Sequence, residues 1–328
     1  MRYSTAGRAA LCRAIVWAGL CCAGAAQAQD YPTKQIRMIV STAPGGASDF
    51  IIRPVAQKLS ETFRQPVVID NRAGASGIIA MEITAKSPPD GYTLLFGTIG
   101  NFATNSAIYD KLPFDVQRDF QPISRLVETP FVLSVHPSLP VKSVKDLVAL
   151  ARQRPGQITY ATWGVGSFSH FLAEAFGLQA GIRLVHVAYK GSAPALTDLV
   201  AGHVSTMFDT AVSAMPMVRE KRIRPLAIGA PQRLAVTPDV PTFAEAGFPD
   251  YGASAWFGVF TPARTPRPVV DRLHAELQRT LAMPDIRERL ESVGARPAGN
   301  TPEEFAALIR SDIERFRVVA QKAQIRAE

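Results

Sequence analysis

Two glycine-rich segments carry the strongest chemical signal in the chain. Ala43-Pro44-Gly45-Gly46 follows the apolar run Ile36 to Val40 and precedes a helical pattern starting near Ser48. Trp163-Gly164-Val165-Gly166-Ser167 follows Ile158 to Thr162 and precedes a helical pattern starting near Phe168. A strand that turns into a helix over glycines leaves backbone N–H groups unpaired at the helix N-terminus. With the positive end of the helix dipole, those donors form a seat for an anion. Two seats roughly 120 residues apart imply two domains, each offering one cradle to a shared cleft. Such a cleft clamps a small molecule.

The side chains around the two loops add polar chemistry. Asp49, just inside the first helix, either caps it or holds a water or an ammonium group. Thr98 and Asn101 follow the third strand, at the edge where open α/β sheets bind ligands. Ser167 and Ser169 are hydroxyl donors at the second helix start and equally good caps. His170 lies in the first turn of that helix, where the dipole disfavours a cation, so a neutral imidazole is expected, as a structural bond or a ligand contact. Asp209 ends a strand facing the cleft and binds an amine, orients a water or braces a loop; Tyr189 closes a lid or packs in a core.

Ser167, His170 and Asp209 can be drawn as nucleophile, base and orienter. However, Gly-x-Ser-x-Gly is absent, and His170 three residues after Ser167 at a helix start points away from it. Catalysis is therefore not expected. Gly164-x-Gly166 has Ser169 at the third glycine position, an incomplete dinucleotide fingerprint. His136, His186, His203 and His274 are scattered without metal-ligand spacing, so neither a metal nor a cofactor is expected.

Strands and helices alternate along the chain. Ile36 to Val40, Val67 to Asp70 and Tyr92 to Gly97 read as strands, with helices over Asp49 to Phe63 and Ser76 to Ala85. A second series begins near Pro130. Its strands are Phe131 to Val135, Ile158 to Ala161, Leu184 to Val187, Val204 to Phe208 and Ile223 to Ile228. Its helices are Val144 to Arg152, Phe168 to about Leu178 and Ala193 to Ala201. Beyond the proline-rich stretch Thr237 to Pro249 come a strand, Trp256 to Phe260, and helices over Pro268 to Ala282 and Pro302 to Gln321. The last starts behind Thr301 with Glu304 three residues on, a capping box. The alternation argues for a largely parallel sheet covered by helices, in two α/β series joined by two crossings, near residues 120–130 and 230–255.

The first 28 residues read as a secretory signal: Arg2, Arg8 and Arg13, then the apolar stretch Ala14 to Gly24, then Ala26-Gln27-Ala28 as a cleavage site. Cleavage after Ala28 removes all three cysteines, Cys12, Cys21 and Cys22, which excludes a disulfide, a thiol nucleophile and a Cys-based metal site in the mature chain. The apolar stretch is too short to span a bilayer, so a soluble mature protein is expected. Loss of the three arginines lowers the formal net charge from +8 to +5, because the signal carries no acid. The densest basic cluster, Arg219 to Arg224, contains Glu220 and no aromatic residue, which argues against nucleic-acid binding.

An ordered set of motifs resembles the Bug-type periplasmic solute-binding proteins of tripartite tricarboxylate transporters. It comprises Tyr31-Pro32-Thr33-Lys34, Ala43-Pro44-Gly45-Gly46 with Asp49, Asp70-Asn71-Arg72, and Pro89-Asp90-Gly91-Tyr92-Thr93-Leu94-Leu95. It continues with His136-Pro137-Ser138-Leu139-Pro140-Val141-Lys142-Ser143, Gly166-Ser167 with His170, and Tyr189-Lys190-Gly191 with Ala193-Pro194-Ala195. Pro238-Asp239-Val240-Pro241-Thr242 and Thr301-Pro302-Glu303-Glu304-Phe305 complete it.

The resemblance implies a two-domain α/β type II periplasmic-binding-protein fold, a Venus flytrap with two crossing segments. Domain 1 is expected over 29–127 plus 252–328 and domain 2 over 128–251. The implied function is a periplasmic receptor that binds a small organic anion, a carboxylate, and delivers it as a monomer to membrane permease subunits; a sensor for a signalling partner needs the same closure. The loops matching Ala43 to Gly46 and Thr162 to Ser167 are implied to contact the ligand, largely through backbone amides and water. The chain departs from the family pattern at Ser41-Thr42, at Ala73 and Ser76 (where Pro and Gly are usual), and at Trp163, which replaces a smaller residue and narrows the pocket or stacks on a flat ligand.

Overall fold

Five-residue runs such as Ile36–Val40, buried at four of five positions, can only be strands covered on both faces. The computed structural model describes residues 31–249, 251–323 and 325; the signal read over residues 1–28, with the three cysteines, lies outside them. The strands are β1 (Ile36–Val40), β2 (Val67–Asn71), β3 (Thr93–Thr98), β4 (Phe120–Val135), β5 (Thr159–Thr162), β6 (Val185–Ala188), β7 (Thr206–Thr210), β8 (Arg224–Ile228), β9 (Ser254–Pro262) and β10 (Arg296–Pro297). Their order is β2-β1-β3-β9-β4-β7-β5-β6, with β8 and β10 also paired to β4.

The sheet is mixed rather than largely parallel. β1 runs parallel to β2 and β3, and β5 parallel to β6 and β7. The two crossing strands reverse the direction: β9 is antiparallel to β3 and β4, and β4 is antiparallel to β7, β8 and β10. β4 serves both halves of the sheet. Residues Phe120 to Pro130 pair with β9, and Phe131 to Val135 pair with β7 and β8.

The helices are α1 (Ala47–Phe63), α2 (Ile78–Ala85), α3 (Asn105–Ile108), α4 (Val144–Gln153), α5 (Phe168–Ala180), α6 (Ser192–Ala201), α7 (Ala211–Arg219), α8 (Arg267–Ala282), α9 (Pro284–Glu291) and α10 (Pro302–Ala323). Local chemistry sets several starts. Ser143 caps α4 by accepting from Asp146 N, and Thr301 and Glu304 exchange both bonds of the capping box, at 2.9 and 3.2 Å. α2 starts at Ile78, not Ser76, because Ala75–Gly77 form a short turn with Ala75 and Ser76 at positive φ. α3, α7 and α9 add to the helices expected from periodicity. The core between helices and sheet is rich in aromatic rings; Phe102 stacks on Phe260 at 4.0 Å, and Phe243 meets Tyr251 at 4.5 Å. Among the described residues, no helix is long and apolar enough to cross a membrane.

Candidate functional site

The C-terminal ends of β1, β3, β5 and β6 converge on one pocket of about 190 Å³, which is where open α/β sheets place ligands. From the first half of the chain it is lined by Ser41, Thr42, the 74–77 turn, Thr98, Gly100, Asn101 and Tyr109. The second half contributes Trp163, Gly164, Val165, Ser167, Phe168, Tyr189, Lys190 and Gly191. The two sides are bonded to each other: Ser76 Oγ donates to Val165 O at 2.5 Å, and Thr104 Oγ1 donates to Gly166 O at 2.9 Å. Gly191 packs against the first glycine loop, since a Cβ there would lie 3.6 Å from Ala43 N.

Of the residues singled out from sequence, Thr98, Asn101, Trp163, Gly164, Val165 and Ser167 line this pocket. Asn101 is held rigidly. Its Oδ1 accepts from Ser41 Oγ and Thr98 N, and its Nδ2 donates to Ser76 O. Ala43 and Gly46 border instead a space of about 10 Å³, shared with Thr42 and Trp163, at the start of α1. That is room for about one water. Pro44 and Gly45 are exposed. Asp49 is buried and faces its own loop: Oδ2 accepts from Gly45 N at 3.0 Å and from Arg53, while Oδ1 accepts from Asn71 Nδ2.

The second glycine loop is tied to itself. Trp163 N donates to Ser169 Oγ, Gly164 N to Thr162 Oγ1, Gly166 N to His170 Nδ1 and Ser167 N to Gly164 O, at 3.0 to 3.3 Å. Accepting at Nδ1 requires that nitrogen to be unprotonated, and burial pushes His170 down to about 4, so the ring is neutral. His170 stacks on His186 at 4.1 Å, and His186 Nε2 meets Thr162 Oγ1 at 2.6 Å, so the two rings buttress the loop from behind.

Asp209, fully buried, accepts from Trp163 Nε1 at 3.2 Å, Ser192 Oγ at 2.7 Å and Thr210 N at 2.8 Å. Burial raises its carboxyl to about 7, against the pull of those donors. It positions the indole. Ser167, His170 and Asp209 are not joined as a triad: Ser167 Oγ caps the backbone N–H of His170 and pairs with Ser169, and Asp209 bonds to neither.

Thr42 Oγ1 is buried with no hydrogen bond among the described residues, and Lys190 forms no ion pair among them. No Asp or Glu is among the lining residues, and Lys190 is the one full charge there. The 74–77 turn, Tyr109 and Tyr189 to Gly191 were not among the residues singled out as ligand contacts; Tyr189 and Lys190, directly after a parallel strand, stand where such contacts are expected. Tyr189 is braced by its hydroxyl, which donates to Asp198 at 2.6 Å.

The description "Tripartite tricarboxylate transporter family receptor" (TctC) belongs to the family profile that matches residues 51–325. Protein BugT of Bordetella pertussis is 35% identical over 309 residues, 94% of this chain and 94% of its own. The solved structure of R. palustris Rpa4515 with adipate superposes with a TM-score of 0.88 at 38% identity, covering 90% of this chain and 99% of that one. MatC (Rpa3494) from Rhodopseudomonas palustris with bound malate gives 0.85 at 32% identity, covering 88% and 99%. The fold is the two-domain α/β fold of periplasmic binding proteins.

Proposed function

The chain belongs to the tripartite tricarboxylate transporter receptor family, TctC, and on that premise we propose that it captures a small organic carboxylate in the pocket at its strand ends and delivers it to membrane permease subunits. The observation that carries the reading is an acid-free pocket whose one charged lining residue, Lys190, precedes Gly191 at the corner where the chain packs against Thr42 and Ala43. The start of α1 lies behind this corner, across the water-sized space, and adds the favourable end of a helix dipole. The two related structures solved with adipate and with bound malate agree with a carboxylate ligand.

The protein acts as a monomer after export to the periplasm and cleavage after Ala28. It is a receptor and not an enzyme. Its domains are joined by two crossings, with boundaries at 127/128 within β4 and at 251/252 just before β9, so that bending at these two crossings opens the pocket.

The test is a calorimetric or thermal-shift comparison of carboxylic acids with their amides, on protein unfolded and refolded to strip carried-over ligand. A ligand at 100 times its Kd stabilises by about 2.7 kcal/mol. Acids that bind while their amides do not support the reading; equal binding of both overturns it.

A further inference from the structure

The second glycine loop and the first turn of α5 rest on two stretches of chain that lie outside 128–251. One is the segment from Gly100 to Tyr109. A Cβ at Gly100 would lie 3.5 Å from Phe168 N, and one at Gly166 would lie 2.0 Å from Ile108 Cδ1. The other is α10. Its Phe316, 6% exposed, meets the rings of Phe168 and Phe171 edge-to-face, at 5.5 and 5.8 Å. Phe168 lines the pocket and lies 5.2 Å from Phe131, just past the crossing in β4. The helix that carries Phe316 is fixed to its own side of the molecule. Asp312, one turn earlier, accepts from Trp256 Nε1 of β9 and from Arg315, each at 2.8 Å. The Arg315 guanidinium in turn lies 4.7 Å over the Phe316 ring.

Accepting the reading of residues 128–251 as a domain that swings about the two crossings, we propose that Phe316 is a positioning residue for ligand capture: its ring is the seat on which the start of α5 docks when the pocket closes. Opening lifts Phe168 and Phe171 off that ring and lets water into an apolar seam, so closure is favoured by a contact that involves no ligand. The apparent Kd is the intrinsic Kd divided by the closed fraction. Loss of the seat therefore weakens every ligand by one factor and leaves the preference among ligands unchanged. The C-terminal helix, outside the pocket lining, thereby sets affinity.

The closed arrangement can be read without a ligand. Across the cleft, a Cβ at Gly46 would lie 3.6 Å from Ser192 Cβ, within the span of a disulfide. In a Gly46→Cys/Ser192→Cys parent, stripped of ligand and treated with diamide, the rate of 46–192 bond formation, followed by peptide mass spectrometry, reports the closed population. Phe316→Leu, verified as folded by its far-UV spectrum, is expected to slow this rate about tenfold, the scale of a lost ring pair. Phe171→Leu breaks the same contact from the α5 side and should slow it likewise. Phe305→Leu, also buried on α10 but packed on Trp256 and Phe260, should leave the rate unchanged. Without the engineered cysteines, Phe316→Leu should weaken adipate binding by the same factor. Unchanged rates in both Phe316→Leu and Phe171→Leu, or equal slowing by Phe305→Leu, overturn the seat and leave the receptor reading standing. No bond in the parent overturns the closure as well. A bond slowed by Phe316→Leu in a protein that binds neither adipate nor any other acid supports the seat and overturns the carboxylate reading alone.

Discussion

Ser76 is the residue at which backbone cost and cross-pocket bonding can be separated. Four consecutive residues have positive φ: Gly74 (121°), Ala75 (45°), Ser76 (51°) and Gly77 (85°). For a residue with a Cβ the left-handed region costs about 1–2 kcal/mol. Against that cost, Ser76 makes the 2.5 Å bond from its Oγ to Val165 O, and its carbonyl accepts from Asn101 and Asn105, each at 3.1 Å. A hydrogen bond of this kind contributes about 0.5–1.5 kcal/mol. Ser76→Gly removes the strain and the bond together, so its stability should stay within about 1 kcal/mol of wild type. Ser76→Ala keeps the strain and loses the bond, and should be less stable by about 0.5–1.5 kcal/mol. Both variants lose one of the two bonds across the pocket and keep the Thr104–Gly166 bond. At 1.4 kcal/mol per decade, bound acid should leave about 2- to 12-fold faster in each. Urea unfolding gives the stabilities, and stopped-flow displacement of a bound acid gives the release rates. Ser76→Gly no more stable than Ser76→Ala would refute strain at this turn; unchanged release from both would refute its role as a latch.

Other substitutions test the walls of the pocket. Thr42→Val is nearly isosteric and removes the unpartnered hydroxyl, so it should leave the protein as stable or more stable in urea unfolding; a clear loss of stability contradicts the reading of that hydroxyl as unbonded. Gly166 has φ +71°, and a Cβ there would lie 2.0 Å from Ile108 Cδ1; Gly166→Ala should therefore lose at least about 1–2 kcal/mol in urea unfolding. Two buried groups should give opposite pH signatures. Asp209, raised by burial to about 7, contributes stability that is complete below its ordinary value near 4 and lost as pH rises toward 7, so Asp209→Asn should gain in Tm over wild type across that window. His170, lowered by burial to about 4, contributes stability that is complete above about 6.5 and lost as pH falls toward 4, so His170→Asn should gain over wild type on acidification. A Tm difference independent of pH in either variant refutes the corresponding assignment.

The elements that sequence made legible are those whose local chemistry is self-contained. β1 running through glycines into α1, the Ser143 cap and the Thr301–Glu304 box need no distant partner to be recognised. The first half of β4 was hidden because Pro122 and Pro130 and the polar residues between them break any alternation. The structure absorbs them with register shifts at Pro122/Ser124 and Arg125/Val127, against β9. α7 was hidden by Pro216 inside it. Strand direction was not legible either: a buried apolar run such as Trp256 to Phe260 reads the same parallel or antiparallel. In the site, both glycine loops were visible as strand-to-helix junctions, but the 74–77 turn was not, because its partner Val165 lies 89 residues away and left-handed backbone leaves no periodicity.

The two sides of the pocket are built for different tasks. The Trp163 loop has its N–H groups tied to Ser169, Thr162, His170 and Gly164, stands on two stacked histidines, and has its indole pinned by Asp209. A wall so fixed loses little entropy when a ligand is laid against it, and this is the gain from preorganisation. The opposite side holds the strained 74–77 turn, whose Ser76 Oγ reaches across to Val165 O. Binding energy from the carboxylate is then available to favour the closed arrangement, in which Ser76 reaches Val165, over the open one.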